Sequence, residues 1–189
     1  MIKNNFKPPY WYHDNIKFSE DEINNLKNYL LREKNKNTNF LDIVYKKIVD
    51  DITKKVGVYH LSRYDYTYWL QLYQVNDYHG PHNHAGEKGV TFKDFDSHIS
   101  WVHFLDTPKQ KCFRFTDTKG NILVPDEQSS GDIICFPSWV WHEVTPLETD
   151  YLRLVTAGNI SFKAHDLLYS YSGSTINSSG IKKHHTISS

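Results

Sequence analysis

His82 and His84 stand two positions apart in Tyr78-His79-Gly80-Pro81-His82-Asn83-His84. On an extended strand, residues two apart point to the same side, so both imidazoles can face one cation. A further histidine, His142, follows His84 by 58 positions in Phe136-Pro137-Ser138-Trp139-Val140-Trp141-His142, and Arg153 lies 11 positions beyond it. Imidazole suits Fe(II), Zn(II) and Cu(II) alike, so these residues indicate a metal without naming it. His142 comes just after Gly131-Asp132-Ile133-Ile134-Cys135-Phe136-Pro137, an apolar strand with a proline-ended exit and a sensible place for a rigid ligand. Arg153 falls inside the alternating run Tyr151 to Thr156. A guanidinium facing the core without an anion is costly, and it pairs in a bidentate way with carboxylate. An inward Arg153 near the metal therefore implies a carboxylate ligand, and a dicarboxylic acid would fit. An outward Arg153 in a surface ion pair is the bland alternative. His79 and His103 are read as ordinary surface or core histidines.

The elements that must position these residues are mostly strands. Ser19 and Glu22 have capping-box spacing, and Ile23, Leu26, Leu30 and Leu31 recur at helical intervals. A second helix is expected from about Phe40 to Lys55, with Leu41, Val44, Ile48, Ile52 and Val56 as its apolar set and Gly57 near its end. The period then becomes alternating. Strands are expected at Tyr68–Val75, His98–Leu105, Lys111–Phe115, Asn121–Val124, Asp132–Phe136, Glu143–Thr145, Tyr151–Thr156 and Asn159–Phe162. Many short strands at close spacing suggest a sandwich or barrel, and two helices ahead of them suggest a helical layer on one outer face. Residues 1–18 read as irregular. The expected organisation is one domain over 1–169, with 1–58 as helical support and 59–169 as the β unit. Residues 170–189, rich in Ser, Gly, Thr and Asn, are expected to be a flexible polar tail, where His184-His185 is a poor metal candidate.

Composition narrows the class. At 189 residues a single domain is the default. Lys+Arg and Asp+Glu are 22 each, which leaves no footprint for nucleic acid or an anionic membrane, and neither is expected as a partner. Cys112 and Cys135 lie in apolar runs and read as buried reduced thiols. No apolar leader and no run of roughly 20 apolar residues is seen, so a cytoplasmic protein is expected. Aromatic residues make up 15% of the chain, an excess that favours pleated sheet. Trp101, Trp139 and Trp141 read equally as core or as lining of a substrate entrance. The loop Ala85–Asp96, of mixed charge, is expected to cover the site mouth.

Residues 68 to 162, about half the chain, resemble the 2-oxoglutarate- and Fe(II)-dependent oxygenases, in particular a small group often found in phage genomes. The resemblance rests on Tyr73, His82-Asn83-His84, and the strand Ser100–Leu105 followed by Thr107-Pro108. It rests further on Gly131 through Phe136-Pro137-Ser138-Trp139, on His142-Glu143-Val144-Thr145-Pro146, and on Arg153. It implies a double-stranded β-helix, the jelly-roll or cupin-like fold, with Fe(II) and 2-oxoglutarate as cofactors. His82, His84 and His142 would then be metal ligands, with His84 at the place where the wider superfamily has Asp or Glu. Arg153 would bind the distal carboxylate of 2-oxoglutarate, and Tyr73 would line the same pocket. Phe104 stands where many relatives have Tyr. The implied activity is hydroxylation of a small-molecule or peptide substrate with release of succinate and CO2, for a phage-encoded protein in the host cytoplasm. His-x-His with a distant His also resembles the three-histidine sites of cupin dioxygenases that use no 2-oxoglutarate. A jelly roll can equally serve as a non-enzymatic binding or virion module.

Overall fold

In the computed structural model of the chain, the described residues are 6–32, 39–57, 62–85, 98–164 and 183–187. Two helices precede most of the strands. Helix α1 spans Glu20–Arg32 and α2 spans Asn39–Lys55, within a residue of the expected bounds. The capping box at the start of α1 is present. The Ser19 amide donates to Glu22 Oε2 at 2.8 Å, and the Glu22 amide returns to Ser19 Oγ at 3.3 Å. Gly57 follows α2 with φ of 75°, a left-handed conformation that favours glycine. No described helix is long and apolar enough to cross a membrane.

The strands are β1 (Trp11–Asn15), β2 (Ser62–Tyr73), β3 (His79–His82), β4 (Ile99–Asp106), β5 (Phe113–Thr116), β6 (Ile122–Leu123), β7 (Asp132–Pro137), β8 (His142–Val144), β9 (Arg153–Ala164) and β10 (Lys183–Ile187). They form a six-stranded sheet ordered β1-β7-β4-β9-β2-β10 and a four-stranded sheet ordered β3-β8-β5-β6, with antiparallel pairings throughout. The chain thus folds as a double-stranded β-helix, mainly β, with its helices on one face.

Period-two alternation divides the large sheet into two faces. Trp101, Ile133, Cys135, Leu154 and Ile160 meet Leu26, Leu41, Tyr45, Ile48 and Ile52 of the helices. Their strand neighbours Val102, Phe104, Ile134, Phe136 and Val155 meet Phe113, Phe115 and Val144 of the small sheet. The helices therefore cover the outer face, and the inner face packs against the small sheet.

Three differences from the sequence reading have physical reasons. Residues 11–15, read as irregular, form β1 because they pair with β7 and so cover that edge of the sheet. The two strands expected at 151–156 and 159–162 are one, β9, paired along its length with β2 from Arg153↔Tyr73 to Ala164↔Ser62. Gly158, in the gap between the two expected strands, makes room for Trp101. A Cβ there would lie 2.3 Å from the Trp101 ring and 2.6 Å from the Thr67 carbonyl oxygen. Residues 183–187, inside the expected tail, form β10 on the free edge of β2. The remainder of the tail and residues 86–96 of the expected mouth loop lie outside the described residues.

Candidate metal centre

His82 and His142 are brought together by strand pairing. His82 closes β3 and stands opposite His142, the first residue of β8. The register shifts between His79 and His82, across Gly80-Pro81. Proline cannot donate to a ladder and is tolerated at such an irregularity. The two rings lie 4.3 Å apart, centroid to centroid.

His84 reaches the same place by a different route. It lies past the end of β3, so strand alternation does not orient it, contrary to the sequence argument. Its amide instead donates to the Ser138 carbonyl at 2.7 Å, and the Ala85 amide shares that acceptor at 3.1 Å. The His84 ring sits 5.3 Å from that of His82 and 5.0 Å from that of His142, with Trp69 stacked against it at 5.7 Å. One nitrogen from each of the three rings falls within 4.8 Å of the others, an arrangement able to hold a metal ion.

The hydrogen bonds identify which nitrogens face inward. His82 Nδ1 is 2.8 Å from the Gly80 carbonyl oxygen, and His142 Nδ1 is 3.0 Å from that of Val140. A carbonyl oxygen can only accept, so each Nδ1 carries the proton and each neutral ring keeps its lone pair on Nε2. Metal-ligating histidines are commonly fixed this way. Burial, then the neighbouring His84 and His82, pulls the His142 pKa down to about 3, which keeps that ring neutral and ready to ligate.

Arg153 opens β9 opposite Tyr73, and its side chain is buried at 2% exposure. The guanidinium carbon lies 4.9 Å from the Tyr73 ring centroid and 5.8 Å from that of Phe104. Nη1 has no hydrogen-bond partner, and no ion pair among the described residues includes Arg153. The outward alternative for Arg153 is thereby excluded. A buried cation with an unmet donor calls for an anion, and the planar donor fork suits a carboxylate.

The sequence reading set His79 aside, yet it borders this cluster. Its Nδ1 is 2.8 Å from the Tyr73 hydroxyl, and its ring lies 6.0 Å from that of His82. Burial, with His82 and Arg153 nearby, lowers its pKa. Burial pushes the Tyr73 hydroxyl up to about 12, so it stays protonated. Nothing in the spacing of His79 marks it out; only the irregular turn through Gly80-Pro81 carries it there. His103 is elsewhere, on the helix-facing side, 3.2 Å from the Tyr45 hydroxyl and 2.7 Å from the Ile16 carbonyl oxygen. The tryptophans divide. Trp101 is wholly buried against Tyr45, whereas Trp139 and Trp141 are 59% and 40% exposed beside the His142 turn.

The donor set fits a borderline cation such as Fe(II), and the unmet Arg153 donor fits an organic acid beside it. Comparison with known proteins agrees. A family model described as "Putative 2OG-Fe(II) oxygenase" matches residues 67–159, the segment holding all three histidines and Arg153. No curated protein sequence matches the chain. Among solved structures it resembles the viral collagen prolyl hydroxylase of Paramecium Bursaria Chlorella virus-1, solved with 2OG. The TM-score is 0.58 at 15% identity, over 80% of this chain and 94% of that one. It also resembles the non-heme alpha-ketoglutarate-dependent epimerase SnoN from nogalamycin biosynthesis, with TM-score 0.56 at 13% identity over 81% and 77%. It spans 63% of the length of a Pseudomonas putida prolyl-4-hydroxylase and matches it over 63% of its own, at 20% identity and TM-score 0.48. With its double-stranded β-helix, its histidine cluster and the matched segment, the chain is similar to the 2OG-Fe(II) oxygenases, a family that uses Fe(II) and 2-oxoglutarate.

Proposed function

We propose that the protein is a dioxygenase that hydroxylates its substrate, with His82, His84 and His142 holding Fe(II) and Arg153 binding the distal carboxylate of 2-oxoglutarate. The observation that carries this reading is the pairing of three convergent imidazoles with a buried guanidinium whose Nη1 is unmet. Fe(II) and 2-oxoglutarate, when bound, supply the oxidising chemistry, with succinate and CO2 as co-products.

The chain's own residues do the rest. The carbonyls of Gly80 and Val140 hold two imidazoles in the tautomer that presents Nε2. Arg153 anchors and orients the co-substrate. The Tyr73 and Phe104 rings both lie near the guanidinium, and Phe104 cannot donate a hydrogen bond. Tyr73, with His79, is thus the hydroxyl-bearing wall of that pocket. Phe113 and Phe136 pack against His142 at 5.5 and 4.9 Å and exclude water from behind it.

The test is thermal stability of the Mn(II)-loaded chain with and without 2-oxoglutarate, followed by succinate release in the Fe(II) form. A rise in melting temperature on adding 2-oxoglutarate, lost in Arg153→Ala, supports the reading; no rise at saturation overturns it. The three neutral imidazoles favour a second reading, a cupin-type dioxygenase that uses no 2-oxoglutarate. Iron binding without any effect of 2-oxoglutarate would select it. Unchanged metal content in His82→Ala/His142→Ala would leave only a binding module. Hydroxylation and epimerisation are separated by whether the product gains an oxygen atom.

A further inference from the structure

Behind His84 runs a short chain of polar side chains that the proposed reaction does not itself require. Asn159 Oδ1 lies 2.7 Å from His84 Nδ1 and 2.8 Å from Ser100 Oγ. Ser100 Oγ is in turn 2.9 Å from Ser138 Oγ. Ser100 and Ser138 are both almost wholly buried. A hydroxyl has one proton, so Ser100 cannot donate to both neighbours. The consistent assignment has Ser138 donating to Ser100, Ser100 donating to Asn159 Oδ1, and His84 Nδ1–H donating to that same oxygen. Ser138 acts twice, because its carbonyl also holds the amides of His84 and Ala85.

We infer that Asn159 is a positioning residue for the metal centre: its amide oxygen, oriented by Ser100 and Ser138, fixes His84 in the tautomer that offers Nε2 to the cation. This rests on the proposed metal site and deepens it. The other two histidines use backbone carbonyls for the purpose, which no substitution removes. His84 lies outside regular structure and stands where the wider superfamily has a carboxylate. A carboxylate ligand has no tautomer to set. An imidazole has two, and only one serves, so exchanging Asp or Glu for His at this position creates a need for a partner. Asn159 meets it from β9, one sheet face shared with Arg153 by the alternation of 153, 155, 157 and 159. A neutral amide also adds no charge to a centre that already lacks a carboxylate.

The experiment titrates the full chain with Co(II), followed by visible absorption, in the wild type and in Asn159→Leu, Asn159→Asp and Ser100→Ala. Asn159→Leu is expected to bind about 10- to 100-fold more weakly, the usual effect of losing such a partner, with an altered Co(II) spectrum. Asn159→Asp is expected to restore affinity to within a few-fold, because a carboxylate accepts both hydrogen bonds. Ser100→Ala should weaken binding in the same direction by less. It carries the test if Asn159→Leu fails to show a cooperative melt without metal. Wild-type affinity and spectrum in Asn159→Leu would overturn the inference. So would an Asn159→Asp variant as weak as Asn159→Leu, since the amide oxygen would then not be the acceptor. Failure of the wild type to bind Co(II) would instead remove the underlying metal site, a result visible before any variant is compared.

Discussion

Arg153 gives the sharpest residue-scale expectation, because its structural and functional roles predict opposite signs. A structural arginine in a buried pair would destabilise the fold when removed, by about 3–5 kcal/mol. Here the guanidinium is buried and Nη1 is unmet, so Arg153→Met should leave the metal-free melting temperature unchanged or higher while abolishing stabilisation by 2-oxoglutarate. A pH dependence follows from two buried neutral imidazoles. Burial lowers His103 to about 4 and His142 to about 3, against 6.5 in an unfolded chain. The unfolded chain therefore binds more protons below pH 6.5, and stability present above that pH is lost as pH falls toward 4. Between pH 7 and 5.5 the metal-free protein should lose on the order of 2 kcal/mol, read from urea melts at the two pH values. His103→Gln should roughly halve that loss.

At the scale of elements, β9 organises the molecule. One face carries Arg153 and Asn159 toward the site, and the other carries Leu154, Thr156, Gly158 and Ile160 toward the helices. Gly158 is where the two requirements meet, since Trp101 lies against its backbone. Gly158→Ala should destabilise by about 1–3 kcal/mol or more through overpacking, seen as a lower urea midpoint. This strand also shows what was legible in the sequence. The alternation of Tyr151 to Thr156 and the inward Arg153 were readable, as were both helices, because period and charge cost are local properties. The continuity of β9 through Gly158 was not, because it depends on a Trp side chain 57 positions earlier in the chain. In the site, the triad of His82, His84 and His142 was readable as a set. The means by which His84 arrives was not, because a clamp from Ser138 leaves no periodic trace. His79 was missed for the same reason: an irregular turn, not a spacing, brings it to Tyr73.

At the scale of the whole molecule, the family match over 67–159 leaves out both helices, and the two cores explain why it can. The helix-facing core holds Leu41 at 1% exposure with Tyr45 and Ile52, on the side of the large sheet away from the small one. The core between the sheets holds Phe136, whose ring is 4.9 Å from that of His142. Truncating either should cost similar stability, about 2–5 kcal/mol for Leu41→Ala and 3–5 for Phe136→Ala. Their effects on Co(II) affinity should part. Leu41→Ala should bind as the wild type does, because the large sheet stands between the cavity it leaves and the histidines. Phe136→Ala should bind more weakly, because the ring that holds His142 in place is gone. Leu41→Ala combined with Asn159→Leu should then show additive losses, of stability from one and affinity from the other, since the two share no partner. A Leu41→Ala protein that stays folded yet loses Co(II) would mean that the helical layer shapes the metal centre directly, and the division of labour between the two faces of the large sheet would fail.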